Sequence, residues 1–92
     1  VAKLVFRVHA VQRMFQRHVT VDDVRNALEN GEELEAYPED QPYPSRLVLG
    51  WSGSRPLHIV AAHNLADDET IVITVYEPDC FRWDASFRRR RR

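Results

Sequence analysis

The stretch Val19-Thr20-Val21-Asp22-Asp23-Val24 constrains the fold of this chain more than any other. Thr20 followed three residues later by Asp23 is a capping-box pattern, in which each side chain satisfies the other's free backbone N–H. Val19 and Val24 flank it at the positions of a hydrophobic staple. Asp22 and Asp23 complement the positive end of the helix dipole. Val24, Ala27 and Leu28 fall on one face, and Asn30-Gly31 closes the segment with a glycine expected in the left-handed conformation. The spacing predicts a helix over 21–30. A second helix is predicted just before it, over 9–18, with Val11, Met14, Phe15 and His18 at i, i+3, i+4 and i+7 as its apolar face. His9, Arg13 and Arg17 recur every four residues and drift only about 40° per step, forming one basic stripe that points away from that face. Like charges at this spacing oppose helix formation, so the stripe is either a solvated face or a functional one.

The remainder reads as strands. Residues 3–8 alternate and are a candidate edge strand. Residues 32–37 (EELEAY) alternate, with Leu34 and Ala36 on one side. PEDQPYPS, with three prolines, makes a stiff surface loop. Residues 45–51, 56–63 and 69–77 are apolar runs joined by short turns, as in an antiparallel meander. Pro78 ends the last. The fold class is therefore α+β: an N-terminal αα hairpin packed on a four-stranded antiparallel sheet, with the first segment a potential fifth, edge strand.

Ninety-two residues make one domain that buries roughly 60–65% of its unfolded surface. That domain is expected over 1–87, with 88–92 a mobile basic tail; Trp83 and Phe87 are too apolar to be free and are expected to pack back. The five arginines of the tail take the net charge from −6 for the rest to −1 for the whole. The first 18 residues carry Lys3, Arg7, Arg13 and Arg17 and no acid, whereas acids gather at 32–40 and 67–69. Separate basic and acidic zones fit an anionic partner for some surfaces and a cationic one for others. No apolar run approaches the length of a membrane span, and VAKLVF is too short and too soon charged for a signal peptide. A single cysteine, Cys80, fits a small semi-buried residue and a reducing cytoplasm.

Pairing residue 63 with 69 across the loop 64–68 places 59 opposite 73 and 58 opposite 74. Ile59, Ala61, Ile71, Ile73 and Val75 then form an apolar seat for the helices. His58, Thr74 and Tyr76 share the other face with Val60, Ala62 and Val72. The SGSR turn decides whether Leu47, Leu49 and Trp51 join His58, in which case that face is better read as buried. His58 is either a hydrogen-bonded strand histidine or a general acid or base. Tyr76 is either a sheet aromatic with a satisfied hydroxyl or a catalytic or base-stacking group. Arg46 is either a surface residue or a phosphate contact. No P-loop, dinucleotide fingerprint or GxSxG occurs. His9 and His18 lack a carboxylate at metal-ligand spacing, and His58 and His63 fall on opposite sides of a strand, so neither metal nor cofactor is expected. The remaining Arg, His and Tyr side chains suit binding a phosphate backbone and stabilising a phosphoryl transition state.

His9-Ala10, Arg13-Met14 and Arg17 form an H-A-x-x-R-M-x-x-R pattern. It is followed by Tyr37-Pro38, Tyr43-Pro44-Ser45-Arg46-Leu47, Gly50, Arg55 to Val60, Thr74 to Asp79 and Trp83. Together these resemble a family of small bacterial proteins with a domain of unknown function, similar to RelE/BrnT-like type II toxins. The resemblance implies a compact RNase-like fold and mRNA cleavage by 2′-hydroxyl attack, with neutralisation by a protein antitoxin of the CxxC zinc-finger and helix-turn-helix kind. It implies His58, His9 and Tyr76 as catalytic candidates and Arg13 and Arg17 as phosphate contacts. Many RelE-like toxins are strongly basic and this chain is not. The alternative is a non-catalytic accessory module that binds nucleic acid or protein.

Overall fold

The computed structural model describes residues 3–91. Within them the chain runs β1 (Lys3–Phe6), α1 (Val8–Arg17), α2 (Val21–Asn30), β2 (Glu32–Tyr37), β3 (Ser45–Ser52), β4 (Arg55–Asn64) and β5 (Glu69–Tyr76). The sheet order is β1-β5-β4-β3-β2. The fold is α+β, but the sheet is mixed: β1 is its fifth strand and runs parallel to β5. The chain passes straight from β1 into α1 beside β5, with the Arg7 N–H donating to the Val72 carbonyl at 3.0 Å. No described helix is long and apolar enough to cross a membrane.

The capping box forms as the sequence requires. The Asp23 N–H donates to Thr20 Oγ1 and the Thr20 N–H to Asp23 Oδ2, each at 3.0 Å. Gly31 differs from expectation. Its φ of −80° is extended, because the chain enters β2 at the next residue. Glycine is needed there for close approach: a Cβ would lie 2.2 Å from the Ala27 carbonyl oxygen and 2.6 Å from that of Leu49. Gly50 plays the matching part under α2, where a Cβ would meet Ala27 Cβ at 2.2 Å.

The helices cover one face of the sheet. Their core joins Ala10 and Met14 of α1, Val24 and Ala27 of α2, and Leu57, Ile59, Ala61, Val72 and Val75 of the sheet. The predicted α1 face is corrected: Met14 is buried, but Phe15 is 85% exposed and Val11 51%. α1 lies close to β5, and the small Ala10 permits the contact that Phe15 would prevent. His18 is not on that face either; it is the left-handed C-cap of α1, with φ 56°.

The β4–β5 register also differs. Asn64 pairs with Glu69 and His58 with Tyr76, with an irregularity between Val60 and Ala61. Asn64 sets the start: it is buried, donates to Asp67 at 3.0 Å and accepts from the Ala66 N–H at 3.1 Å, closing a tighter turn. Ile73 is then the extra, unpaired residue of the bulge. Val72 consequently faces the helices, and Ile71, opposite Ala62, faces away. Leu49 pairs with His58 and Leu47 with Val60. Both leucines therefore share the face of His58, and that face is buried.

What buries it is the segment after Pro78. Trp83 packs over His58, with ring centroids 4.4 Å apart, and Phe87 meets Trp51 edge-on at 6.2 Å. Both pack back as the sequence requires. Where a mobile basic tail was expected, Arg88 pairs with Glu32 at 2.6 Å and Arg90 with Glu35 at 2.5 Å. The Arg91 N–H donates to the Arg82 carbonyl at 2.7 Å. Arg92 lies outside the described residues.

Candidate functional site

β1 pairs with β5 only over Glu69–Val72. Beyond that point the edge of β5 carries no strand, and α1 begins there. A cleft of about 710 Å³ opens between α1 and the C-terminal segment. Thr74 and Tyr76 form its floor, His9 and Arg13 its α1 wall, and Phe81, Arg82, Trp83, Arg90 and Arg91 the opposite wall. His9 and Arg13 sit one helical turn apart, and that spacing aims both into the cleft. Trp83 anchors the other wall, and the Arg90 guanidinium lies 4.8 Å from its ring centre, a cation–π contact. Phe81 is 85% exposed at the rim.

Two acids, Glu77 and Asp79, also line the cleft, and of the two only Glu77 has an ion-pair partner among the described residues. Glu77 pairs with Arg55 at 3.6 Å, and Asp79 accepts from the Phe81 N–H at 2.7 Å. Among the described residues Arg13 and Arg82 have no ion-pair partner. The cleft therefore presents free positive charge beside an exposed aromatic ring.

His58 lines no part of it. The ring is fully buried behind Tyr76. His58 Nε2 lies 2.8 Å from the Phe87 carbonyl, which can only accept, so Nε2 carries the proton. Nδ1 then accepts from the Tyr76 hydroxyl at 3.2 Å. This is a neutral imidazole with both nitrogens satisfied. Burial pushes its pKa down and the nearby Arg90 charge adds to this, against the opposing pull of the Phe87 carbonyl and Glu35. Burial likewise pushes the Tyr76 hydroxyl up, so Tyr76 keeps its proton. Beside them, the Tyr37 hydroxyl donates to Glu35 and holds that carboxyl below its ordinary range, helped by Arg90.

The sequence candidates thus separate. His9, Arg13 and Tyr76 meet in the cleft, and His58 supports Tyr76 from behind. Arg17 lies at the far end of α1, where its carbonyl accepts from Arg55 at 2.9 Å. Arg46 pairs with Ala61, a residue of the helix-side core, and so lies on the other face of the sheet. Neither lines the cleft. Sequence reasoning missed Phe81 and Arg82 and assigned Arg90 and Arg91 to a mobile tail rather than to this cleft. The apolar Trp83 between them signalled a docked segment, but no local pattern showed which surface it docks on.

A family profile described as a domain of unknown function (DUF4258) matches residues 6–77, and the chain belongs to that family. The match includes His9, Arg13, His58 and Tyr76 and stops before the C-terminal segment. No curated protein and no solved structure matches the chain.

Proposed function

We propose that this DUF4258 protein is an endoribonuclease of the RelE/BrnT-like toxin type that cleaves RNA in the α1 cleft. The observation that supports this is the meeting of one imidazole, unpaired arginines and an exposed aromatic ring in one cleft. In the reaction the ribose 2′-oxygen attacks the adjacent phosphorus and the bond to O5′ breaks. A 2′,3′-cyclic phosphate and a free 5′-hydroxyl result. His9, the imidazole that lines the cleft, takes the 2′-hydroxyl proton. The leaving O5′ takes its proton from water, and Tyr76, whose own proton is donated to His58 Nδ1, positions the nucleotide with its oxygen. Arg13, Arg82 and Arg91 carry the charge that develops on the phosphoryl oxygens. Phe81 offers a face on which a base can stack. Arg17 and Arg46 have no part in this scheme.

A protein antitoxin belongs to the same reading. Val8, Val11 and Phe15 form an exposed apolar stripe on the flank of α1 away from His9 and Arg13. A non-catalytic nucleic-acid-binding module is the second reading, and the enclosure of His58 away from the cleft favours it.

Incubating the purified protein with a single-stranded RNA in EDTA separates the two. Cleavage products ending in cyclic phosphate are expected, with a fall of at least about 100-fold in rate for His9→Ala. RNA bound but uncut by the wild-type protein would leave only the binding module.

A further inference from the structure

A second pocket, of about 480 Å³, shares His9 with the cleft. Arg7 and His9 stand on one side, Pro42 and Tyr43 on the other, and Ala62 and Ile73 lie beneath. Its surface is mostly carbon; the polar groups on it are Arg7, His9, Gln41 and Asp40, and the Asp40 carboxylate accepts from Ser45 Oγ. The proline loop that supplies Pro42 and Tyr43 is pinned at several points. The Asp40 N–H donates to the Tyr37 carbonyl at 3.2 Å, Ser45 Oγ to the Asp40 carboxylate, and the His63 N–H to the Pro44 carbonyl at 3.2 Å. The slot is thus formed before any ligand enters.

The two pockets repeat one chemistry. The first sets Phe81 and Arg82 across from Arg13, the second sets Tyr43 across from Arg7, and His9 lines both. A flat apolar surface and a cation, given twice in succession, match a polymer that alternates flat rings with anions. We infer that the groove takes a single-stranded polynucleotide across both pockets, with one base against Tyr43 and Pro42 and the adjoining phosphate at His9 and Arg13. This rests on the reading of the cleft as an RNA site and adds a base subsite to it. Each volume falls in the range of ordinary ligand sites, and stacking on an aromatic ring accepts any base.

The test uses 2′-O-methyl oligonucleotides, which lack the attacking hydroxyl, so binding is read whether or not the protein cleaves. Fluorescence anisotropy should show affinity rising at least about tenfold from a mononucleotide to a trinucleotide. Tyr43→Ala should weaken the trinucleotide about 5- to 100-fold, the range expected for one stacked base. Tyr43→Phe should keep wild-type affinity. In the unmodified protein the Ile73 δ-methyl resonance should move when the trinucleotide binds, a readout independent of any variant's folding. Wild-type affinity in Tyr43→Ala, equal affinities for mononucleotide and trinucleotide, or an unmoved Ile73 methyl would each overturn the subsite. A protein that cleaves RNA yet shows any of these keeps its reaction and loses the second pocket.

Discussion

Acid should destabilise this protein through His58, in a pH range where carboxylates are silent. The folded ring is neutral, fully buried and held below its ordinary pKa of 6.5 by burial. In the unfolded chain the same imidazole titrates near that ordinary value. The unfolded state therefore takes up a proton as pH falls through about 6.5, while the folded state does so only at lower pH. The stabilisation is fully present above pH 6.5 and is lost progressively below it. The slope approaches about 1.4 kcal/mol per pH unit. Between pH 7.5 and 5.5 the loss is bounded at about 1.4 kcal/mol, or at most roughly 5–10 °C in Tm for a domain of this size. The carboxyls of Asp23 and Glu35 are held below their ordinary values and titrate under this window. Thermal melts of the wild type and of His58→Gln across the range test the argument. The variant should be less stable at pH 7.5 and flatter below it. A wild-type Tm constant from pH 7.5 to 5.5, or an equal slope in the variant, would refute the assignment of a buried neutral imidazole. The same geometry affects how activity data are read. His58→Ala leaves the Phe87 carbonyl and the Tyr76 hydroxyl unpartnered beside a cavity. Its cost of about 3–5 kcal/mol is a large share of a stability of about 5–15 kcal/mol. Lost activity in that variant would report folding rather than proton transfer.

Three further outcomes follow from single contacts. Thr20→Ala should cost about 1 kcal/mol in urea denaturation, since it removes the acceptor for the Asp23 N–H. Gly50→Ala should cost about 1–3 kcal/mol or more by the same measurement, because the new methyl would lie 2.2 Å from Ala27 Cβ and push α2 off the sheet. Arg82→Ala should change stability by less than about 0.5 kcal/mol, as its exposed side chain has no described partner. It should nonetheless weaken RNA binding and reduce the salt dependence of that binding by about one phosphate contact, read by titration at several salt concentrations.

The parts of the fold legible in sequence are those set by neighbours in the chain. The bounds of α2 and β2 agree with expectation, α2 because a capping box is a local signal, although an irregularity at Leu34 breaks the expected alternation of β2. Gly31 ends α2 at the expected position but in extended rather than left-handed backbone, and part of what forbids a side chain there is the Leu49 carbonyl, 18 positions away, beside that of Ala27. The faces of α1 and β5 were misassigned by longer-range effects. An amphipathic helix shows where its large apolar residues lie, not that its small Ala10 is the contact a nearby strand requires. One unpaired residue at Ile73 reverses every side chain before it, and nothing in a β-branched run marks such a bulge. The run of arginines looks solvated until Glu32 and Glu35, far away in sequence, are seen to pair with Arg88 and Arg90. The same limit applies to the site. His9 and Arg13 were visible as a stripe and Tyr76 as a strand aromatic, but the wall that faces them was not.

That wall gives the cleft a divided origin. His9, Arg13 and Tyr76 lie within the family match, whereas Phe81, Arg82 and Arg91 lie beyond it. The segment that supplies these residues also lays Trp83 over His58 and closes the second face of the sheet. Assembling the cleft and burying that face are therefore one event. The ion pairs along the segment are half exposed and contribute little individually. Its hold comes chiefly from Trp83, a large aromatic side chain that is almost wholly buried. Deleting the segment would remove the cations, uncover His58 and expose Leu47 and Leu49 together, so a truncated chain confounds binding with folding. Substitution at single exposed arginines changes the charge of the cleft and leaves the Trp83 anchor in place, and it is at this level that the two walls can be assigned separate roles.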